Sequence, residues 1–99
     1  MPKAAEALRL ARGAGDLATE ALALKCLAGA VANDDPERSL ELSDQAIEVA
    51  DRAKAYDVMV PAMTNSNNTR AERLGRYEES IRVNEGFIRL ARQRHVEHR

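Results

Sequence analysis

The sequence predicts an all-α chain of antiparallel helix hairpins, about five helices in all, and three observations carry that expectation. Alanine and leucine dominate the 44% apolar share, with three aromatic residues (Tyr56, Tyr77, Phe87) and no tryptophan. Both have high helix propensity, and small side chains let helix axes approach closely. Breaking and capping residues divide the 99 residues at four short places, 13–16, 33–36, 56–57 and 75–76, which leaves no room for crossovers and forces neighbouring helices to run antiparallel. Residues 16–58 and 57–99 also align without gaps at a constant offset of 41, the mark of a repeat.

The first segment, 4–12, repeats Ala4, Leu8 and Ala11 with Ala7 and Leu10 beside them, and Gly13-Ala14-Gly15 suits a C-cap before Asp16 as N-cap. Residues 17–32 are apolar nearly all round, interrupted by Thr19, Glu20, Lys25 and Cys26, which predicts a helix covered on several sides. Asp35-Pro36 is a helix start: the carboxylate caps free amides, and proline occupies a position where an amide would go unused. In the helix that follows, Leu40, Ser43, Ile47 and Ala50 form one row and Leu42, Ala46, Val49 and Ala53 the next, with Glu41, Asp44, Glu48, Asp51 and Arg52 largely elsewhere. The fourth segment, 58–74, carries the polar run Thr64-Asn65-Ser66-Asn67-Asn68-Thr69 of weak helix propensity, and Pro61 is expected to hold the helix start close by. The fifth, 77–93, places Ile81, Asn84, Ile88 and Ala91 on one row with Val83, Phe87 and Leu90 beside them.

The offset pairs seven identical residues: Asp16/Asp57, Ala21/Ala62, Ala30/Ala71, Glu37/Glu78, Ser39/Ser80, Ile47/Ile88 and Ala50/Ala91. Conservative pairs join them at Leu40/Ile81, Leu42/Val83 and Val49/Leu90. Ala7-Leu8-Arg9-Leu10-Ala11-Arg12 matches Phe87-Ile88-Arg89-Leu90-Ala91-Arg92. The expected division of 1–99 is therefore one domain made of a half repeat (4–15) and two units (16–56 and 57–95), a piece of a longer protein.

Leu74-Gly75-Arg76-Tyr77-Glu78-Glu79-Ser80-Ile81 resembles the helix-turn-helix core of a tetratricopeptide repeat, and Asp34-Asp35-Pro36-Glu37-Arg38-Ser39-Leu40 stands at the same place in the earlier unit. Departures from that pattern are Phe87 at a usually small position, Ser39 and Ser80 in place of alanine, and a spacing of 41 rather than about 34 residues. The link Ala11-Arg12-Gly13-Ala14-Gly15-Asp16 is similar to those in the helical arrays of bacterial LuxR-type ATPase regulators. The resemblance implies an α-solenoid acting as a protein-docking scaffold, the partner- or effector-docking segment of a bacterial signalling or transcriptional regulator. It further implies that the first helix of each unit lines a concave face, shared by Ala21, Ala32 and Ala62, whose candidate contact residues are Leu24, Ala28 and Val31 from one unit and Asn65, Thr69, Glu72 and Arg73 from the next. Asn65 and Arg73 would hydrogen-bond a peptide backbone or carboxylate. The plainer account makes residues 21–32 ordinary core and the asparagines solvated or mutually satisfied. The alternative function is a structural spacer or an oligomerisation segment, associating through exposed array ends.

Other classes find little support in the residues. There is no Gly-rich phosphate loop, no metal-ligand cluster of diagnostic spacing and no nucleophile elbow, so no enzyme, cofactor or catalytic residue is expected. His95 and His98 stand three apart beside Glu97, but a solvated tail accounts for them and no metal is expected. Cys26 cannot form an internal disulfide and reads as a small buried side chain. Fifteen Lys+Arg nearly balance sixteen Asp+Glu, and the basic stretch from Arg82 lacks interleaved aromatics, so nucleic acid is not an expected partner. No apolar run approaches the roughly 20 residues of a membrane span, and the cytoplasm is the expected compartment.

Overall fold

The computed structural model describes residues 2–97 as five α-helices, with no strand among them. They are α1 (Pro2–Ala14), α2 (Leu17–Val31), α3 (Pro36–Ala53), α4 (Tyr56–Asn68), which runs on into a π-helical turn (Thr69–Arg73), and α5 (Tyr77–Glu97). The helices lie side by side in a slab of 39 × 37 × 14 Å.

Local chemistry sets the boundaries. Asp16 and Asp35 are the N-caps of α2 and α3, each accepting an amide three residues on, Thr19 and Arg38, at 3.1 Å. Helix ends use the left-handed region at Gly15, Lys54 and Gly75. At the first two the amide of the next residue reaches back to the last turn, Asp16 to Ala11 O and Ala55 to Ala50 O, both at 2.9 Å, as a Schellman-type cap requires. Glycine adopts this conformation freely; Lys54 does so against the clash of its Cβ.

Hydrogen bonds between helices fix the direction of each pair. Ser39 at the start of α3 donates to Ala28 O near the end of α2 at 2.8 Å, and Ser66 late in α4 donates to Asp44 in mid-α3 at 2.8 Å. Asn67 in α4 donates to Asn84 in α5 at 2.7 Å. Sequential helices are therefore antiparallel. By contrast α3 and α5 run parallel, bridged near their starts by Arg76 with Glu37 and near their ends by Arg94 with Asp51.

The core is Ala-, Leu- and Met-built: Leu8, Ala21, Leu24, Ala28, Leu42, Ala46, Val49, Met59, Ala62 and Met63 are among its buried members. Both expected rows of α3 are buried apart from Ala53, which is half-buried. Three features differ from the expectations. Helix α4 starts at Tyr56 and passes through Pro61 rather than starting near it; the carbonyl deprived of a donor belongs to Asp57, which is exposed in the first turn and open to water. The polar run 64–69 is helical throughout, α-helical as far as Asn68 and π-helical from Thr69, with Ser66 and Asn67 bonded to Asp44 of α3 and Asn84 of α5. Cys26 is exposed, on the side of α2 that opens into a groove with α1.

Repeat-equivalent positions show where the array is open. Leu40 and Ile47 of α3 are 8% and 7% exposed beneath α4, whereas Ile81 and Ile88 at the same positions of α5 are 62% and 42% exposed. At the other end Met63 of α4 is 5% exposed while its counterpart Leu22 of α2 is 46% exposed. Ile81 and Ile88 lie on the last helix, and Leu22 lines an open groove between α1 and α2.

Candidate functional site

Where α2 ends, α3 begins and α4 passes into the π turn, a polar cleft of about 290 Å³ opens. Its lining includes the buried polar residues Ser39, Ser43 and Thr69. Gly29 and Ala32 of α2 line one side, and the exposed Asn65, Asn68, Glu72 and Arg73 the other. Small side chains on α2 are what leave this space open beside the larger polar ones.

Four of the seven candidate contact residues of the expected concave face, Asn65, Thr69, Glu72 and Arg73, line this one cleft, as does Ala32 of the same expected face. The other three do not. Leu24 and Ala28 are 0% and 1% exposed within the core, which corrects the expectation that they offer a surface: they face inward to the helices packed on α2. Val31 is half-buried and packs against the core. Their place beside the cleft, next to Ala32, is taken by Gly29.

The cleft presents amide donors and acceptors, hydroxyls, one carboxylate and one guanidinium. Ser39 Oγ is engaged with Ala28 O, and no histidine or cysteine is among the lining residues. Such a set can hydrogen-bond an extended backbone or clamp a carboxylate against Arg73. Its size is at the small end of ligand pockets, which run from about 300 Å³, so it suits a peptide side chain or a few backbone groups.

Arg70, which the sequence reading passed over, anchors this region from behind. It is 4% exposed and donates to Ser66 Oγ at 3.2 Å and Asn67 Oδ1 at 3.1 Å. Asp44 of α3 and Glu79 of α5 stand 3.4 and 3.8 Å from its guanidinium. One cation thus ties α3, α4 and α5 together. The π turn makes this possible: its wider hydrogen-bond step, Leu74 N to Thr69 O at 3.0 Å, lets both Thr69 and Arg70 turn inward. The available signal was the spacing Ser66–Asn67–Arg70, i,i+4 and i,i+3 along one face.

A second, apolar groove of about 480 Å³ lies between α1 and α2. It is lined mainly by alanines with Leu22, Cys26, Thr19 and Lys3. Of the carboxylates, two are displaced from their usual range. The Asp51 carboxyl is held down by the hydrogen bonds of Arg94, at 2.6 and 2.9 Å, against the opposing effect of burial. That of Asp16 is lowered by Thr19, whose hydroxyl and amide both donate to it.

No group of three or more His, Cys, Asp or Glu suited to hold a metal occurs among the described residues; of the pair considered in the tail, His95 is exposed and His98 lies outside the described residues. No helix among the described residues is long and apolar enough to cross a membrane. No protein-family model, curated protein or solved structure matches this chain.

Proposed function

We propose that this chain is a protein-interaction module of the tetratricopeptide type, an α-solenoid segment with no catalytic role, whose docking surface is the polar cleft between α2 and the end of α4. The observation that supports this is the convergence of Asn65, Thr69, Glu72 and Arg73 with Gly29 and Ala32 on one opening. These residues come from the first helix of each 41-residue unit, and in a solenoid those helices line the ligand face. The ligand is an extended peptide whose carboxylate meets Arg73 and whose backbone meets Asn65 and Asn68. The finer placement, as the docking segment of a bacterial signalling or transcriptional regulator, rests on the link 11–16 alone.

Peptides selected by display on the immobilised protein test this reading. They should lose about ten-fold or more in affinity on Arg73→Ala and on Asn65→Ala, and keep it on Ile81→Glu. Selected peptides that bind all three variants as well as the parent chain would defeat it.

A second reading, an oligomerisation segment or spacer, is favoured by a different observation: of the exposed large apolar residues, Leu10 lies on the first helix and Tyr77, Ile81 and Ile88 on the last.

A further inference from the structure

One row of α5 carries Tyr77, Ile81, Asn84, Ile88 and Ala91 at alternating steps of four and three residues, with the half-buried Ala91 in a pocket beside Tyr56 and Met59 of α4. That is the period of a two-helix seam. Tyr77, Ile81, Asn84 and Ile88 are all exposed. The equivalent row of α3, Leu40, Ser43, Ile47 and Ala50, is buried, so the strip on α5 has the character of an internal helix contact without its covering helix. Its inner side is held by Arg94 with Asp51 and by Glu79 with Arg70, which keeps the strip turned outward.

Charged residues line one side of the strip. Glu78 stands at its start and Arg92 at its end, with Arg82, Glu85 and Arg89 between them; all five are exposed. A copy of the same helix laid antiparallel meets acid with base at both ends, whereas a parallel copy meets like with like. Inversion about the point midway between Ile81 and Ile88 also sets each isoleucine opposite the other in the second copy and brings Tyr77 opposite Arg92, next to the small Ala91. Asn84 falls beside the axis, where a polar seam residue fixes register, and its Oδ1 is already held by Asn67.

We propose that the chain forms a homodimer in which α5 packs antiparallel on α5 of a second copy about a two-fold axis beside Asn84. Such an interface is self-complementary, as a two-fold requires. The proposal rests on the oligomerisation reading and is independent of the peptide cleft. A dimer built through the α1–α2 groove would sink the proposal while leaving that reading standing.

Sedimentation velocity on the full chain, from low micromolar to sub-millimolar concentration, tests it. The parent chain should sediment as a reversible dimer. Ile81→Glu should weaken association by roughly thirty-fold or more with an unchanged helical circular-dichroism spectrum, and Leu22→Glu should leave the dimer intact. Glu78→Arg and Arg92→Glu should each weaken it by about ten-fold, and the two together should restore it, because each reversed charge again meets its opposite across the axis. A parent chain that stays monomeric, a dimer indifferent to Ile81→Glu, loss of the dimer on Leu22→Glu, or no restoration in the double reversal would each overturn the proposal.

Discussion

Arg70 is the residue whose removal says most about how the second hairpin is held. Arg70→Met keeps much of the side-chain volume and deletes the guanidinium. Two hydrogen bonds of good length, to Ser66 and Asn67, then disappear, each contributing about 1 kcal/mol net. The Asp44 and Glu79 contacts are longer, and those side chains are 47% and 43% exposed; water replaces the lost cation there, so they add little. Relief from burying a charge offsets part of the loss. The net expectation is a destabilisation of about 1–2 kcal/mol for Arg70→Met. For Arg70→Ala it is about 3–4 kcal/mol, because a cavity is then added. Urea unfolding followed by circular dichroism measures both. Hydrogen exchange adds a signature of position: amides of α5 should lose protection before those of α2 and α3, since α5 loses its link to Asp44 through Arg70. An Arg70→Met variant as stable as the parent, or one that loosens all helices equally, would refute this reasoning.

Two further outcomes follow from the geometry. Asp51 has its folded pKa lowered by Arg94, so its contribution is fully present above the unfolded value of about 3.9 and is lost as pH falls through the lower folded value. Asp51→Asn should therefore be less stable than the parent near neutrality and converge with it in acid urea titrations below about pH 4; a constant gap at all pH would contradict the assignment. Lys54 occupies the left-handed region at φ 57°, and Lys54→Gly should raise stability by about 0.5–1 kcal/mol, seen as a higher melting temperature; a fall would show that the lysine side chain holds the cap.

The parts of the fold legible in the sequence were those written in local chemistry. Asp35-Pro36, Asp16 and Gly75 mark their boundaries within a residue or two, because caps act on the nearest amides and carbonyls. The double row of α3 was legible because both of its apolar faces are covered. What failed depended on neighbours. An apolar helix such as α2 does not reveal which of its sides lacks a partner, so Leu24 and Ala28 were assigned to a surface and Cys26 to the interior, the reverse of their burial. The row containing Ile81 and Ile88 carries the same pattern as that of Leu40 and Ile47, and only the presence or absence of a further helix decides exposure. Arg70 was missed because a single arginine in a polar run reads as solvated, and its burial needs Asp44 and Glu79 from other helices together with the π turn. The polar cleft was half visible: the resemblance to the repeat family points to Asn65, Thr69, Glu72, Arg73 and Ala32, while Gly29, Ser39 and Ser43 enter only through the way α2, α3 and α4 pack.

The central claim is that two units of 41 residues stack in register and that α5 presents, uncovered, the row that α3 buries. The most direct test is the pair Ile47→Ala and Ile88→Ala, the same change at the same repeat position, measured by urea unfolding at protein concentrations low enough to keep the chain monomeric. The account predicts a loss of about 3 kcal/mol at Ile47 and about 1 kcal/mol or less at the half-exposed Ile88. Equal losses at the two sites, or a larger one at Ile88, would contradict it.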